Sequence, residues 1–429
     1  MKVFSISKFV DRFIIFYLYW VGFEWFFLSR INNFTIIQII RNIVDSLPII
    51  ILIAFVFLKD IKLKKHDLLI FLGYLIILIV TAISIIIEIK TPLPIVSYIG
   101  VALRFIPFII ILKYSSPELE TRFVKNVKII FWIQIALSVF SVINRELLLS
   151  ITLPPRTIFE QPYPTAYVDE GISTTFINTV EFIFYILSLS IIYLSYSKKK
   201  REKVIIVSVT LLTTIFSFSI ASVLGLLIIL ILKNTKLRLL LLFGISFILA
   251  LIVFYKTGLL DILLGTDVET WIDISSEYNR IGYFTKLMPE FFNGNLKDII
   301  LGFGYDADIV NMKLLHYKNA PITMISNENN LKYLKDVYWI SVIMTQGIIV
   351  FFITLSILFI IYQSAKQCIS KINFNIIKEF LLLILILGFF NQILDIKSFT
   401  FCFWIQVAFM LNKPKLNQPK NLSTVIAYT

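Results

Sequence analysis

The chain of 429 residues is 58% hydrophobic and only 16% charged, against about 25% charged in ordinary soluble domains, and this excludes a soluble enzyme. Its 40 Phe and 19 Tyr beside 14 Gly and 13 Pro exclude collagenous and disordered chains, which are poor in large apolar residues. The net charge of +13 is spread over short loops between apolar runs. It therefore reports membrane topology, since Lys and Arg concentrate in cytoplasmic loops, and no nucleic-acid partner is expected.

Taken in order, the apolar runs predict an all-α polytopic membrane protein with about twelve transmembrane helices. Lys2, Lys8 and Arg12 precede the first span, 13–28, which Arg30 closes without a cleavage site. A short outer segment, 30–45, leads to span two, ending at Leu58 before the basic cluster Lys59, Lys62, Lys64, Lys65. Span three covers about 68–89 and span four about 94–112, followed by Lys113, Arg122, Lys125 and Lys128. Span five, about 129–144, opens into an outer loop over 145–173. Span six returns to Lys198, Lys199, Lys200 and Arg201. The apolar stretch 204–232 is too long for one crossing and is read as a hairpin of two short spans, with the turn at Ser217 to Ser222. Span nine, about 239–255, is followed by a charged segment over 256–336, the one domain-sized loop. Span ten covers about 338–362, and a final hairpin turns around Asp395 and Lys397. The domain division is thus 1–255, 256–336 and 337–429, with both termini cytoplasmic. With Cys368 and Cys402 at different sides or depths of the bilayer, no disulfide is expected.

No nucleotide-binding loop, nucleophile elbow or zinc motif occurs, and with 2 His in the chain no metal site is expected. The chemistry-bearing residues are charges at membrane depth and in the outer loops. Arg104, within Val101-Ala-Leu-Arg-Phe-Ile-Pro107, falls near the middle of span four, where a lone Arg costs about 2.5–3.5 kcal/mol. It needs a partner, and Glu24 and Glu181, each near the outer end of its span, are the candidates. The alternatives for Arg104 are an ion pair inside the bundle, contact with an anionic lipid head group from an outward-open cavity, or snorkelling without a partner. Arg145, Arg156 and Arg280 are outer-loop guanidiniums, suited to grip phosphate oxygens in bidentate fashion. Asp306-Ala-Asp308 spells the Asp-x-Asp of metal-dependent glycosyltransferases, but nucleotide sugars are not expected outside the cell.

The run Tyr278-Asn-Arg280-Ile-Gly-Tyr283, then Gly302-Phe-Gly304-Tyr305, then Asn329-Asn-Leu331 through Asp336 to Gln346-Gly347, resembles the Wzy-type O-antigen and capsule polymerases and the related O-antigen ligases. Span number, loop position and the serine-rich hairpin turn resemble that family too. The resemblance implies a GT-C-like glycosyltransferase architecture in the bacterial inner membrane, with one large periplasmic loop. It also implies metal-independent inverting transfer of a glycan from undecaprenyl diphosphate, without a cofactor and with a chain-length regulator as a possible partner. Under it, Arg280, Arg104, Arg156 and Arg145 hold the diphosphate. Asp336, His316 and Glu160 are candidate bases, and Tyr278, Tyr283 and Tyr305 contact sugars. Two departures stand out. Ile220 occupies the hairpin turn where the family often has Arg, and Asp336 lies where the ligases place a His, which favours polymerase over ligase. A lipid-linked oligosaccharide flippase is the other alternative, disfavoured because no internal repeat is visible.

Overall fold

The computed structural model describes residues 5–31, 33–58, 63–88, 104–152, 174, 176, 179–216, 288–303, 338–389, 393–394 and 396–413. The described residues form helices and no β-strand. In chain order these are α1 (Ile6–Leu28), α2 (Phe34–Leu58), α3 (Lys65–Glu88), the short α4 (Phe108–Ile111), α5 (Leu119–Ile143) and α6 (Arg145–Thr152). They continue as α7 (Thr179–Tyr196), α8 (Lys200–Phe216), α9 (Met288–Phe292), α10 (Leu296–Leu301), α11 (Tyr338–Lys366), α12 (Lys371–Leu387) and α13 (Lys397–Asn412). Four stretches, Thr35–Phe57, Lys65–Ser84, Leu119–Ile143 and Tyr338–Lys366, are long and apolar enough to cross a membrane.

Burial divides the helices by their place in the bundle. α7 is buried without interruption from Phe182 to Leu194 and α13 from Ser398 to Leu411. Neither sequence has a polar face, and a helix apolar all round belongs at the centre. α7 packs against α5, α8, α12 and α13, and α13 also packs against α1 and α4. By contrast, α2 exposes Ile36, Ile39, Ile43, Ile50, Ile53 and Phe57, and α3 exposes Leu68, Leu72, Leu75, Ile79, Ile83 and Ile86. These positions recur at helical spacing, so α3 presents one continuous apolar face and α2 an apolar face interrupted by exposed Asn42 and Ser46, as expected where hydrocarbon is the main solvent.

Three expectations from the sequence need correction. The segment 30–45 is not a loop: α2 begins at Phe34 and carries Arg41 and Asp45. Polar side chains interrupt the hydropathy there, but nothing in them breaks a helix. The Arg104 region is not a continuous helix either. Residues 104–107 form a turn, and Pro107 caps α4. Its carbonyl accepts from the N–H groups of Ile110 and Ile111, both at 3.0 Å, in keeping with proline's preference for helix starts. Finally, the loop read over 145–173 starts as the eight-residue helix α6. The hairpin turn at 217–222, the second span of that hairpin up to 232 and span nine, about 239–255, lie outside the described residues.

Within the 256–336 segment, the described part packs tightly on the bundle. α10 lies against α11 and α3, and Phe291 and Phe303 are fully buried, with ring centroids 5.4 Å apart. α11 breaks at Gly347 (φ 84, ψ 167). The break takes away the N–H of Ile348 that would bond the Met344 carbonyl in an unbroken helix, and Phe303 N–H donates to that carbonyl instead at 2.7 Å. Gly302, at φ 77, faces this break. A Cβ on Gly302 would sit 2.4 Å from the Thr345 carbonyl carbon, and one on Gly347 would sit 2.1 Å from the Ile300 oxygen. Both positions thus require glycine for φ and for close approach.

Candidate functional site: a charged cavity at one end of the bundle

One end of the bundle gathers the basic loop segments beside Asp11, Asp67 and Glu120. The other end gathers the C-terminus of α1 and the N-termini of α2, α7 and α13. At this second end a cavity of about 130 Å³ is lined by Glu24, Trp25, Arg41, Arg104, Glu181, Lys397 and Ser398, together with Val21 and Phe176.

The charged residues arrive on five separate elements, each for a local reason. α1 leaves helical geometry at Phe23 (φ −137, ψ 19), and the Gly22 carbonyl beside this kink accepts from Gln134 Nε2 of α5 at 3.0 Å. Gln134 Oε1 in turn accepts from Thr174 Oγ1 at 2.7 Å. The kink turns Glu24 and Trp25 toward the cavity. Arg41 and Asp45 are four apart on α2 and therefore share a face. Arg104 stands on the turn before α4, Glu181 in the first turn of α7 and Lys397 at the first position of α13.

The charges form a connected network. Arg41 Nε donates to Glu24 Oε1, and its guanidinium lies 4.5 Å from the centre of the Trp25 ring. Lys397 Nζ bridges Glu24 Oε2 and Asp45 Oδ1, each at 2.5 Å, and sits 5.6 Å from the centre of the Trp20 ring. Arg104 Nη2 pairs with Asp45 Oδ2 at 3.2 Å, and Tyr17 Oη donates to Asp45 Oδ1 at 3.4 Å. Glu24 is 6% exposed and Arg104 19%, so solvent screens these pairs weakly and the unpaired charges would be costly.

Two donors at the cavity remain unanswered among the described residues. Arg104 Nε and Ser398 Oγ are buried with no hydrogen-bond partner, and Ser398 is 2% exposed. Buried polar atoms of this kind call for a partner such as water or a ligand. With three cations, one of them carrying the orphan Nε, and the Ser398 hydroxyl around one space, the site offers donors to an anion with several acceptor oxygens.

Of the residues singled out in the sequence, Arg104, Glu24 and Glu181 do line one cavity. The expected partner of Arg104 was Glu24 or Glu181; its partner is Asp45, and Glu24 is held by Arg41 and Lys397 instead. Arg145 opens α6, with its side chain outside the described part. Arg280, Arg156, Asp336, His316, Glu160, Tyr278, Tyr283 and Tyr305 lie outside the described residues. Sequence reading missed Arg41, Asp45, Lys397 and Ser398. The i, i+4 pair Arg41–Asp45 next to Pro48 in an apolar run was the available signal. No group of three His, Cys, Asp or Glu suited to a metal occurs among the described residues. No protein-family model and no curated protein matches the chain.

Proposed function

We propose that this chain is a membrane glycosyltransferase that polymerises oligosaccharide repeats carried on undecaprenyl diphosphate, of the O-antigen or capsule type. In this reading about twelve spans cross the bacterial inner membrane with both termini in the cytoplasm. It also makes the 256–336 loop the periplasmic one. The observation that carries the reading is the cavity itself: Arg41, Arg104 and Lys397 converge with the unanswered Ser398 Oγ at one end of an apolar bundle. A lipid-linked diphosphate needs that combination, with cations for its head group and hydrocarbon-facing helices for its chain.

The chemistry is consistent with such a site. The diphosphate is an activated leaving group, so the protein's task is to stabilise the charge that develops on it as the glycosidic bond breaks. A base then takes the proton of the acceptor hydroxyl. Asp336, His316 and Glu160 remain the candidates from sequence, and Arg280, Arg156 and Arg145 the additional diphosphate contacts. Tyr278, Tyr283 and Tyr305 are the candidate sugar contacts.

The test is genetic. In a strain lacking the chromosomal copy, Arg104→Gln should leave surface glycans of a single repeat, with the protein still in the membrane. Complete deletion should give the same single capped repeat. Long lipid-linked chains with no surface glycan would instead indicate a ligase, and repeats trapped on the cytoplasmic leaflet a flippase.

A further inference from the structure

Arg41, Arg104 and Lys397 are already matched to Glu24 and Asp45. An anion entering the cavity therefore needs donors that no carboxylate has claimed. Two are side-chain atoms, Arg104 Nε and Ser398 Oγ, both buried without a partner among the described residues. The others belong to the start of α13, where Lys397 and Ser398 line the cavity. The first bond of that helix runs from Thr400 N–H to the Ile396 carbonyl at 2.9 Å, so the N–H groups of Lys397, Ser398 and Phe399 have no acceptor within the helix. Ile396, at the N-cap, offers them no side-chain oxygen, and no acid lies in the first turn. Of the hydroxyls there, Thr400 Oγ1 bonds the Leu394 carbonyl at 2.7 Å, whereas Ser398, 2% exposed, keeps its Oγ unbonded among the described residues. α7 also starts at the cavity, but with Glu181 in its own first turn.

We infer that the N-terminus of α13 is the cavity's phosphate seat. One phosphoryl group of the ligand accepts from the N–H groups of that first turn, from Ser398 Oγ and from Arg104 Nε, while the paired cations supply the surrounding field. This rests on the head-group reading above and deepens it by naming the atoms that hold the head group. First-turn N–H groups point out of the helix start, which carries about half an elementary positive charge. Because α13 is buried from Ser398 to Leu411, these donors are fixed before the ligand arrives and cost little ordering on binding.

The test is equilibrium binding to the full-length protein in phosphatidylcholine nanodiscs, with undecaprenol, undecaprenyl diphosphate and inorganic pyrophosphate as probes. The wild type should prefer undecaprenyl diphosphate to undecaprenol. Ser398→Ala keeps the backbone donors and removes one hydroxyl, so it should bind the diphosphate about tenfold more weakly, the loss of one hydrogen bond to a charged acceptor. Ser398→Asp puts a carboxylate at the helix start, where the dipole favours an acid. It should abolish the preference for the diphosphate while its melting temperature stays at or above that of the wild type. Unchanged affinity in both variants overturns the inference, and so does a Ser398→Ala protein with no preference left, since the hydroxyl would then act without the helix start. A Ser398→Asp protein that melts lower overturns it as well, because a terminus built for an anion should accept one. Wild-type protein binding undecaprenyl diphosphate no tighter than undecaprenol, or no tighter than pyrophosphate, would overturn the head-group reading instead.

Discussion

The bundle has two charged ends, and they use their charges differently. At the Lys-rich end each acid closes a joint between chain segments. Asp67, fully buried, accepts from Lys113 Nζ at 2.6 Å and from its neighbour Lys64 N–H at 3.0 Å. Asp11 accepts from Ser116 N–H at 3.0 Å, Ser116 Oγ at 2.6 Å and Arg122 at 3.3 Å. Glu120 at the start of α5 pairs with Lys413, just past α13, at 2.7 Å. Backbone N–H groups and hydroxyls share the work with single cations, so the acids are locked to the fold. At the opposite end the acids bond mainly to cations, and the cations keep donors to spare around a cavity. An ion pair in an apolar bundle marks a ligand site when it leaves buried donors over. It marks a joint when backbone and hydroxyl donors tie its acid to the fold, even where one acceptor such as Asp67 Oδ1 is left over.

The sharpest way to break this comparison is to delete one cation at each end. Lys397→Met leaves Glu24 with Arg41 and Asp45 with Arg104 and Tyr17, whereas Lys113→Met takes the paired cation from Asp67. Lys113→Met should cost about 3–5 kcal/mol in thermal unfolding, the usual effect of an uncompensated buried charge, and Lys397→Met less, because each acid there keeps a cation. Only Lys397→Met should also abolish preference for undecaprenyl diphosphate over undecaprenol. Equal loss of binding in both variants would mean that the two ends do not differ in kind.

Next in size is Gly347→Ala. It places a Cβ where the Ile300 oxygen now sits and holds alanine at φ 84, a strain of about 1–3 kcal/mol before any clash. Because Phe303 N–H fills the Met344 carbonyl at the break, the same substitution should release α10 from α11. A spin label at the exposed Leu296, introduced as Leu296→Cys, should gain mobility in the Gly347→Ala background, while the Lys-rich end keeps its joints. An unchanged spectrum would show that segment 296–303 is held by something other than the paired glycines.

Asp45→Asn tests the spare-donor argument in the opposite direction. Losing the carboxylate frees Arg104 and Lys397 from a competing acceptor, so affinity for undecaprenyl diphosphate should rise, on the order of threefold to tenfold, even as thermal stability falls. Asp67→Asn, which also removes a buried carboxylate, should lower stability and leave that affinity where it was.

How much of this was legible beforehand follows from the kind of signal each feature leaves in one dimension. Apolar runs long enough to span hydrocarbon gave the helices now seen as α3, α5 and α11, because hydropathy is local. Arg104, Glu24 and Glu181 were visible as charges where charge is expensive. Their pairing was not, since Glu24 meets Lys397 across 373 positions, and no spacing rule reaches that far. Arg41 and Asp45 were misplaced in a loop because charge lowers hydropathy without lowering helix propensity much. Lys397 read as a turn residue, although it begins the central helix. The docking of Gly302 on Gly347 was hidden for the same reason of distance. Both glycines stood within stretches already singled out, but their reciprocal contact is a property of the packed backbone.

The smallest effect is expected where one arginine takes part in both kinds of pairing. Arg122 donates to buried Asp11, 4% exposed, and to Glu118 four residues earlier, 70% exposed, at 2.7 Å. The shorter distance belongs to the weaker interaction. Water screens Glu118 almost fully, and an exposed i, i+4 pair contributes only about 0.3–0.5 kcal/mol. Asp11 has little water to return to and accepts two further bonds from Ser116, which fix its geometry. Glu118→Ala should therefore shift thermal unfolding by less than about 0.5 kcal/mol, with the shift vanishing in high salt. Asp11→Ala should cost several times more at any salt concentration, because it opens the joint between α1 and the start of α5. If the two variants proved equally mild, burial would have failed as the measure of what an ion pair contributes at the Lys-rich end, and the contrast with the cavity would have to rest on ligand binding alone.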